Sequence, residues 1–168
     1  MNKKILNRQT FAKALQVPSR LMVPIFVIAL SILCLVYAFT KDWDMELIFA
    51  GFVGIAIGIY KIKSLSRTKE SALKGVINVT QYTLKYVRRK TMARSTYYEL
   101  TFTNGTTYTS FSQSFMKYRP GEPFYVVEAY YNGGIANHAF SCNEYYLDRE
   151  FQSALKEAEE HQYYKIIQ

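Results

Sequence analysis

The run from Leu21 to Thr40 holds twenty consecutive residues without a charged side chain. In an α-helix that length rises about 30 Å, the thickness of a bilayer's hydrocarbon core, so the sequence predicts a transmembrane helix at 21–40. A second charge-free run, Leu47 to Tyr60, has only fourteen residues. Its flanks extend it: Trp43 on one side and Tyr60, Lys61 and Lys63 on the other are suited to the membrane interface, and they define a second span at 43–60. The two spans predict a tight transmembrane hairpin over residues 21–60, turning at Lys41-Asp42-Trp43-Asp44. A cleaved secretory signal has a shorter apolar stretch followed by a small-residue cleavage site. Here the run is too long, a second follows at once, and no such site precedes Lys41.

Charge sets the expected orientation. Residues 1–20 carry five bases and no acid, and residues 61–74 carry five bases against Glu70, whereas the turn from Lys41 to Glu46 has one base and three acids. Both basic flanks belong on the cytoplasmic side by the positive-inside rule, which places both termini there. The expected organisation is a basic cytoplasmic segment at 1–20, the hairpin, a basic juxtamembrane linker at 61–74, a small β domain at 75–146, and a C-terminal helix and tail at 147–168. The net charge of +8 suggests nucleic acid at first sight, but residues 75–168 hold ten bases and nine acids, so the excess belongs to the membrane flanks. Lys61, Lys63, Arg67 and Lys69, with the cluster Arg88-Arg89-Lys90 and nearby Arg94, are instead candidate contacts to anionic lipid. Nucleic-acid binding usually needs a broader basic footprint and is not expected.

Ala50, Gly54 and Gly58 recur every four residues in the second span, and Gly51 widens the stripe. Small residues at that spacing let helix backbones approach closely in lipid. They suit packing on the chain's own first helix through Ser31, Cys34 and Ala38, or alternatively a homo-oligomer or a membrane partner.

After Gly75 the apolar period becomes two. Val76-Ile77-Asn78-Val79 starts a strand whose in-phase positions shift near Gln81, which predicts a bulge or bend. Asn104-Gly105, Arg119-Pro120-Gly121-Glu122-Pro123 and Asn132-Gly133-Gly134 are turn signals between β-rich runs, so five or six short strands form a small antiparallel barrel or bent sheet. Asp148 is a candidate N-cap, and Phe151, Ala154, Leu155 and Ala158 make one apolar stripe of a closing amphipathic helix. The fold class is therefore a membrane-anchored α+β chain. Its simplest arrangement sets that helix as a cap on the barrel, and the sharper alternative uses the stripe to bind another protein.

Catalytic signals are weak. The only histidines are His138 and His161, and Cys142 is the one cysteine outside the apolar spans. A structural zinc site cannot be assembled from these, and no cofactor is expected. His138 and Cys142 lie four apart without a third orienting group, so Cys142 reads better as a small buried residue than as a nucleophile. With Cys34 in the first span, no intramolecular disulfide is expected, in keeping with a reducing compartment. Asn78-Val79-Thr80 and Asn104-Gly105-Thr106 match a glycosylation pattern that a cytoplasmic domain never presents to the machinery. Gly133-Gly134 precedes a strand, whereas phosphate loops precede helices. Glu144 with Asp148, and Glu157 with Glu160, are explained by solvated charge.

The aromatic excess is the unusual feature. Thirteen of fifteen tyrosines lie between Tyr82 and Tyr164, several as adjacent pairs. Neighbours on a strand point to opposite faces, so one member of each strand pair should be outward. Tyr97, Tyr98, Tyr130 and Tyr131 are thus candidate anchors for a protein partner, cross-strand aromatic pairing being the alternative.

Two transmembrane helices followed by a β domain with Asn104-Gly105, Tyr118-Arg119-Pro120-Gly121-Glu122 and Phe124-Tyr125-Val126-Val127 resemble uncharacterised bacterial membrane proteins of the same layout. The resemblance covers the order of segments, with local detail in roughly residues 75–130. It implies architecture and supplies no catalytic residues. The reading that results is a non-enzymatic, multi-pass protein of the bacterial inner membrane. Its cytoplasmic β domain binds a protein partner as an accessory, regulatory or immunity-type factor. The alternatives are a lipid- or nucleic-acid-binding module at the membrane surface and an enzyme subunit completed by a partner.

Overall fold

The computed structural model describes residues 3–15, 17–40, 45–92, 95–110 and 112–167. A short strand, β1 (Lys4–Leu6), and a short helix, α1 (Arg8–Ala14), precede two long helices, α2 (Val17–Thr40) and α3 (Met45–Lys74). At 24 and 30 residues these reach about 36 and 45 Å, and both are long and apolar enough to cross a membrane. The expected turn at Lys41–Asp44, with Trp43, lies outside the described residues, as does Arg94.

The helices meet through small residues. Gly51 and Gly58 of α3 are buried against α2; a Cβ on Gly51 would stand 2.5 Å from Leu35 Cγ, and one on Gly58 would overlap Ile28. A Cβ on Gly54 would collide with Ser31, and Ser31 and Ala38 are themselves buried. The stripe thus packs on the chain's own first helix. Ala50, expected in it, is exposed, and Gly51, three residues before Gly54 and seven before Gly58, takes the inward position instead. The large side chains, among them Phe26, Leu33, Phe49, Phe52 and Tyr60, are turned outward.

Residues 61–74, expected as a linker, are the second half of α3. Their apolar positions are few but lie on one face: Leu65 and Ala72, seven apart, join a core, and Ser71 is fully buried beside them. Ser71 Oγ donates to the Arg67 carbonyl at 2.9 Å and lies 2.7 Å from where a Cβ on Gly134 would sit. The helix therefore continues without a break into the β domain.

That domain contains β2 (Val76–Met92), β3 (Ser95–Phe102), β4 (Thr107–Ser110), a 3₁₀ turn (Gln113–Lys117), β5 (Pro123–Tyr131), β6 (Gly134–Ser141), β7 (Tyr145–Leu147) and α4 (Arg149–Ile167). Five strands form one antiparallel sheet in the order β4-β3-β2-β5-β6. The long β2 serves both halves, pairing with β5 from Val76 to Thr83 and with β3 from Leu84 onward. The bend sits at a bulge between Leu84 and Tyr86, slightly beyond the Gln81 expected from the phase shift. Asn132 and Gly133 both take positive φ, 46° and 72°, in the tight turn joining β5 to β6. Of the two expected arrangements the sheet is the bent one and not a closed barrel. β4 has only four residues, and the chain beyond it enters the 3₁₀ turn instead of extending along β6.

The N-terminal segment is more than a basic flank. β1 pairs in parallel with β7, and Asn7 caps α1 by accepting from the Thr10 N–H at 2.9 Å. Leu6, Phe11 and Leu15 are buried in a core with Ala72, Val79, Val127, Phe140 and Phe151. Phe11 stands edge-on to Phe140 and Phe151, with ring centroids 6.2 and 6.4 Å apart. Asp148 caps α4, its carboxylate accepting from the Phe151 N–H at 3.0 Å, and α4 lays Phe151, Ala154 and Leu155 on this core. A second core, around Leu84, Leu100, Phe102, Phe115 and Phe124, fills the bend of the sheet.

Candidate functional site

The gap between the two edge strands is a recess of about 240 Å³. Tyr108 of β4 and His138 of β6 bridge it, the phenol oxygen 2.9 Å from His138 Nδ1. Phe140 packs on the imidazole with centroids 4.6 Å apart, and Phe115 from the 3₁₀ turn lies at 6.0 Å. Burial, and secondarily the Arg20 guanidinium at the start of α2, push the His138 pKa down to about 4. Burial raises the Tyr108 phenol to about 12, against smaller opposing effects from Arg20 and neighbouring hydrogen bonds. Both groups are therefore uncharged near neutral pH.

At the recess mouth Lys117 pairs with Glu144. Burial raises Tyr118 well above the usual phenol range, and Glu144 adds to that rise. Burial also works to raise Glu144, but hydrogen bonds from Lys117 and Tyr118 outweigh it, so its pKa is lowered. Ser110, Ser112 and Ser114 complete the polar lining, the last two 2.6 Å apart through their hydroxyls. The recess offers neutral donors and acceptors in its interior, with Arg20 at its edge and the Lys117–Glu144 pair at its mouth. That arrangement can hold a polar group, and its titratable centres are poorly matched to proton transfer near neutral pH.

Other candidate residues are dispersed. His138 faces Tyr108, whereas Cys142 lies beyond the end of β6 against Tyr125, its thiol raised by burial to about 11. The two do not form a nucleophile and base. Among the described residues no group of three or more His, Cys, Asp or Glu could hold a metal.

Tyr98, one of the four candidate anchors, is buried in the second core, and Tyr97 and Tyr131 are half-buried. Tyr130 is exposed, its hydroxyl donating to Glu128 Oε2 at 2.7 Å. The register sets it in a row across three strands, Val76–Tyr130–Ile135, whose members are 78%, 46% and 57% exposed. Val76 and Ile135 were not singled out in the sequence as exposed anchors, although each directly follows a glycine packed on α3, Gly75 just before β2 and Gly134 at the start of β6.

The basic candidates divide into two groups. Lys63 and Arg67 line a cleft of about 300 Å³ between α3 and the β5–β6 turn, shared with Tyr60 and Ile135. Lys61 faces a neighbouring groove toward α2, and Lys69 is exposed further along α3. Arg88, Arg89 and Lys90 lie on the outer half of β2 opposite Glu99, Tyr98 and Tyr97, with Lys90 paired to Glu99 at 2.7 Å and Arg88 over the Tyr86 ring at 4.7 Å. These two contacts turn charge toward the domain itself. No family model matches the chain, and no curated protein or solved structure matches it at a significant level.

Proposed function

We propose that this is a non-enzymatic binding module of the bacterial inner membrane, with the α2–α3 hairpin inserted in the bilayer and the β domain on the cytoplasmic side docking a protein partner. The observation that carries the partner reading is the Val76–Tyr130–Ile135 row, three apolar side chains aligned and exposed on adjacent strands. Such a row supplies rigid anchors around which a partner excludes water. Membrane insertion is supported by the outward display of the hairpin's large apolar side chains, which a core helix would bury. The packing of β1 and α1 on the same core as α4 favours one side for the N-terminal segment and the domain. A binding rather than catalytic role is supported by the uncharged resting states of His138, Tyr108 and Cys142.

One observation favours a second reading, in which the row rests on the lipid surface: Ile135 shares its cleft with Tyr60, Lys63 and Arg67, just past the apolar half of α3. A photo-reactive residue at position 135, in the full chain in native membranes, separates the two. A discrete protein adduct that Tyr130→Ala and Val76→Asp abolish supports the partner reading, and adducts with lipid alone replace it with the second. Topology is tested with Cys34→Ser and Cys142→Ser combined with Asp44→Cys or Ser153→Cys. An impermeant thiol reagent applied to intact cells should label position 44 and spare position 153; labelling at 153 would place the domain outside.

A further inference from the structure

Building on the inserted reading of the hairpin, we propose that the groove between α2 and α3, at their domain-side ends, binds an anionic phospholipid, with one acyl chain along the groove and the phosphate on Arg20 and Lys61. The groove encloses about 390 Å³. Its floor is apolar, formed by Pro24 and Val27 of α2 and by Gly58 of α3, with Val23 and Ile57 on its exposed walls. Gly58 contributes no side chain there. A Cβ at that position would overlap Ile28 and stand 3.2 Å from the Pro24 carbonyl, so the helices close below the groove and leave it open above.

The mouth carries Arg20 from α2 and Lys61 and Ser64 from α3, and no acidic residue lines the groove. Both cations are exposed. Arg20 lies in the first turn of α2, where the helix dipole adds to its attraction for an anion. Ser64 also belongs to the adjoining cleft of Lys63 and Arg67, so two further cations reinforce the same field. An apolar trough running from within the span to a mouth of like positive charges complements a lipid whose head group is negative. A zwitterionic lipid brings its own cation into that mouth and loses the attraction. Basic pockets between membrane helices on the cytoplasmic side bind anionic head groups by this chemistry.

The test is native mass spectrometry of the full chain released from mixed phosphatidylglycerol and phosphatidylcholine vesicles with matched acyl chains. The wild type should retain phosphatidylglycerol in preference. Arg20→Gln with Lys61→Gln should lower that retention about thirtyfold, from the contribution of two basic residues near a charged head group. Arg149→Gln with Lys156→Gln, on α4, which changes net charge equally, should leave it unchanged. Val27→Trp, which fills the trough and keeps both charges, should also lower retention, provided its melting temperature in detergent matches the wild type. Equal retention of the two lipids by the wild type, full retention by the Arg20/Lys61 variant, or equal loss in both charge variants would overturn the site. Carbonate extraction separates this failure from that of the inserted reading: a chain that stays in the membrane pellet without lipid preference loses only the site, and a chain released into the supernatant loses the insertion as well.

Discussion

The two halves of α3 are built on opposite plans. From Met45 to Tyr60 the inward positions are Gly51, Gly54 and Gly58, and Phe49, Phe52, Ile57 and Tyr60 face out. From Lys61 to Lys74 the inward positions are Leu65, Ser71 and Ala72, and Lys61, Lys63, Arg67, Lys69 and Glu70 face out. In water a helix packs because its apolar stripe leaves solvent. In lipid no such drive exists between helices, so close backbone approach through small residues replaces it. One unbroken helix follows the first plan up to Tyr60 and the second beyond it, the pattern that the proposed insertion of the hairpin requires. Because the helix has no joint there, the orientation of the sheet is tied to that of the hairpin.

The water-side plan extends to the N-terminal segment, and disrupting it should have the largest effect. Phe11→Ala removes a fully buried ring lying between Phe140 and Phe151. Loss of such a side chain costs about 3–5 kcal/mol, which would release α1 and β1 from the domain. Hydrogen exchange of the full chain in detergent should show protection lost over residues 4–15 and weakened in β7 and α4, with the hairpin unaffected. Unchanged protection over 4–15 would mean that the segment is not part of this core.

A pH test separates the halves further, because the buried titratable groups lie in the β domain. His138 takes up its proton near 6.5 when unfolded and near 4 when folded. Between those values the unfolded chain binds more protons, so stability is full above pH 6.5 and falls as pH drops toward 4. The loss should approach about 3 kcal/mol at pH 4, with the lowered Glu144 pKa adding to it at the acid end. Chemical denaturation of the β domain at pH 7 and pH 4.5 should show the difference, and His138→Gln should remove most of it. A slope that survives the substitution would assign the pH response to other groups.

Substitutions on α3 itself sharpen the contrast with a smaller effect. Gly58→Leu should cost about 1–3 kcal/mol by forcing Ile28 and the Pro24 backbone aside, and Ala72→Leu should cost a similar amount in the domain core. Ala50→Leu, on the exposed side of the Met45–Tyr60 half, should change little. Thermal stability in detergent ranks the three; an Ala50→Leu effect equal to that of Gly58→Leu would restore Ala50 to the packing stripe or point to a second copy covering it.

These positions show what the sequence made legible. Uninterrupted apolar runs announce the two long helices by their length and composition. Asn132-Gly133 announces a hairpin because its turn needs positive φ at both residues. Residues 61–74 were illegible as helix because only Leu65 and Ala72 mark the inward face, and glycine spacing alone could not decide between Ala50 and Gly51. The recess was harder still. Tyr108 and His138 are thirty residues apart and meet because the sheet bends at Leu84–Tyr86, and β1 finds its partner β7 across almost the whole chain. Likewise, which tyrosine of an adjacent pair faces out depends on a register that local alternation does not contain, so Tyr98 and Tyr130 had opposite fates.

The smallest expected effect concerns charge on the water side. Arg8 of α1 donates to both oxygens of Glu150 on α4, with its Nε 3.0 Å from each, but the two side chains remain 27% and 48% exposed. Exposed pairs of this kind contribute about 0.2–1 kcal/mol and weaken with added salt. Arg8 Nη1 is buried without a partner, so Glu150→Gln should fall toward the upper end of that range, because it leaves the guanidinium less compensated. Denaturant midpoints at low and high salt should differ for the wild type and converge with those of Glu150→Gln at high salt. If the variant instead lost as much stability as Phe11→Ala, α1 would be held by its ion pair and not by the aromatic packing beneath it, and the water-side half of the comparison would rest on charge.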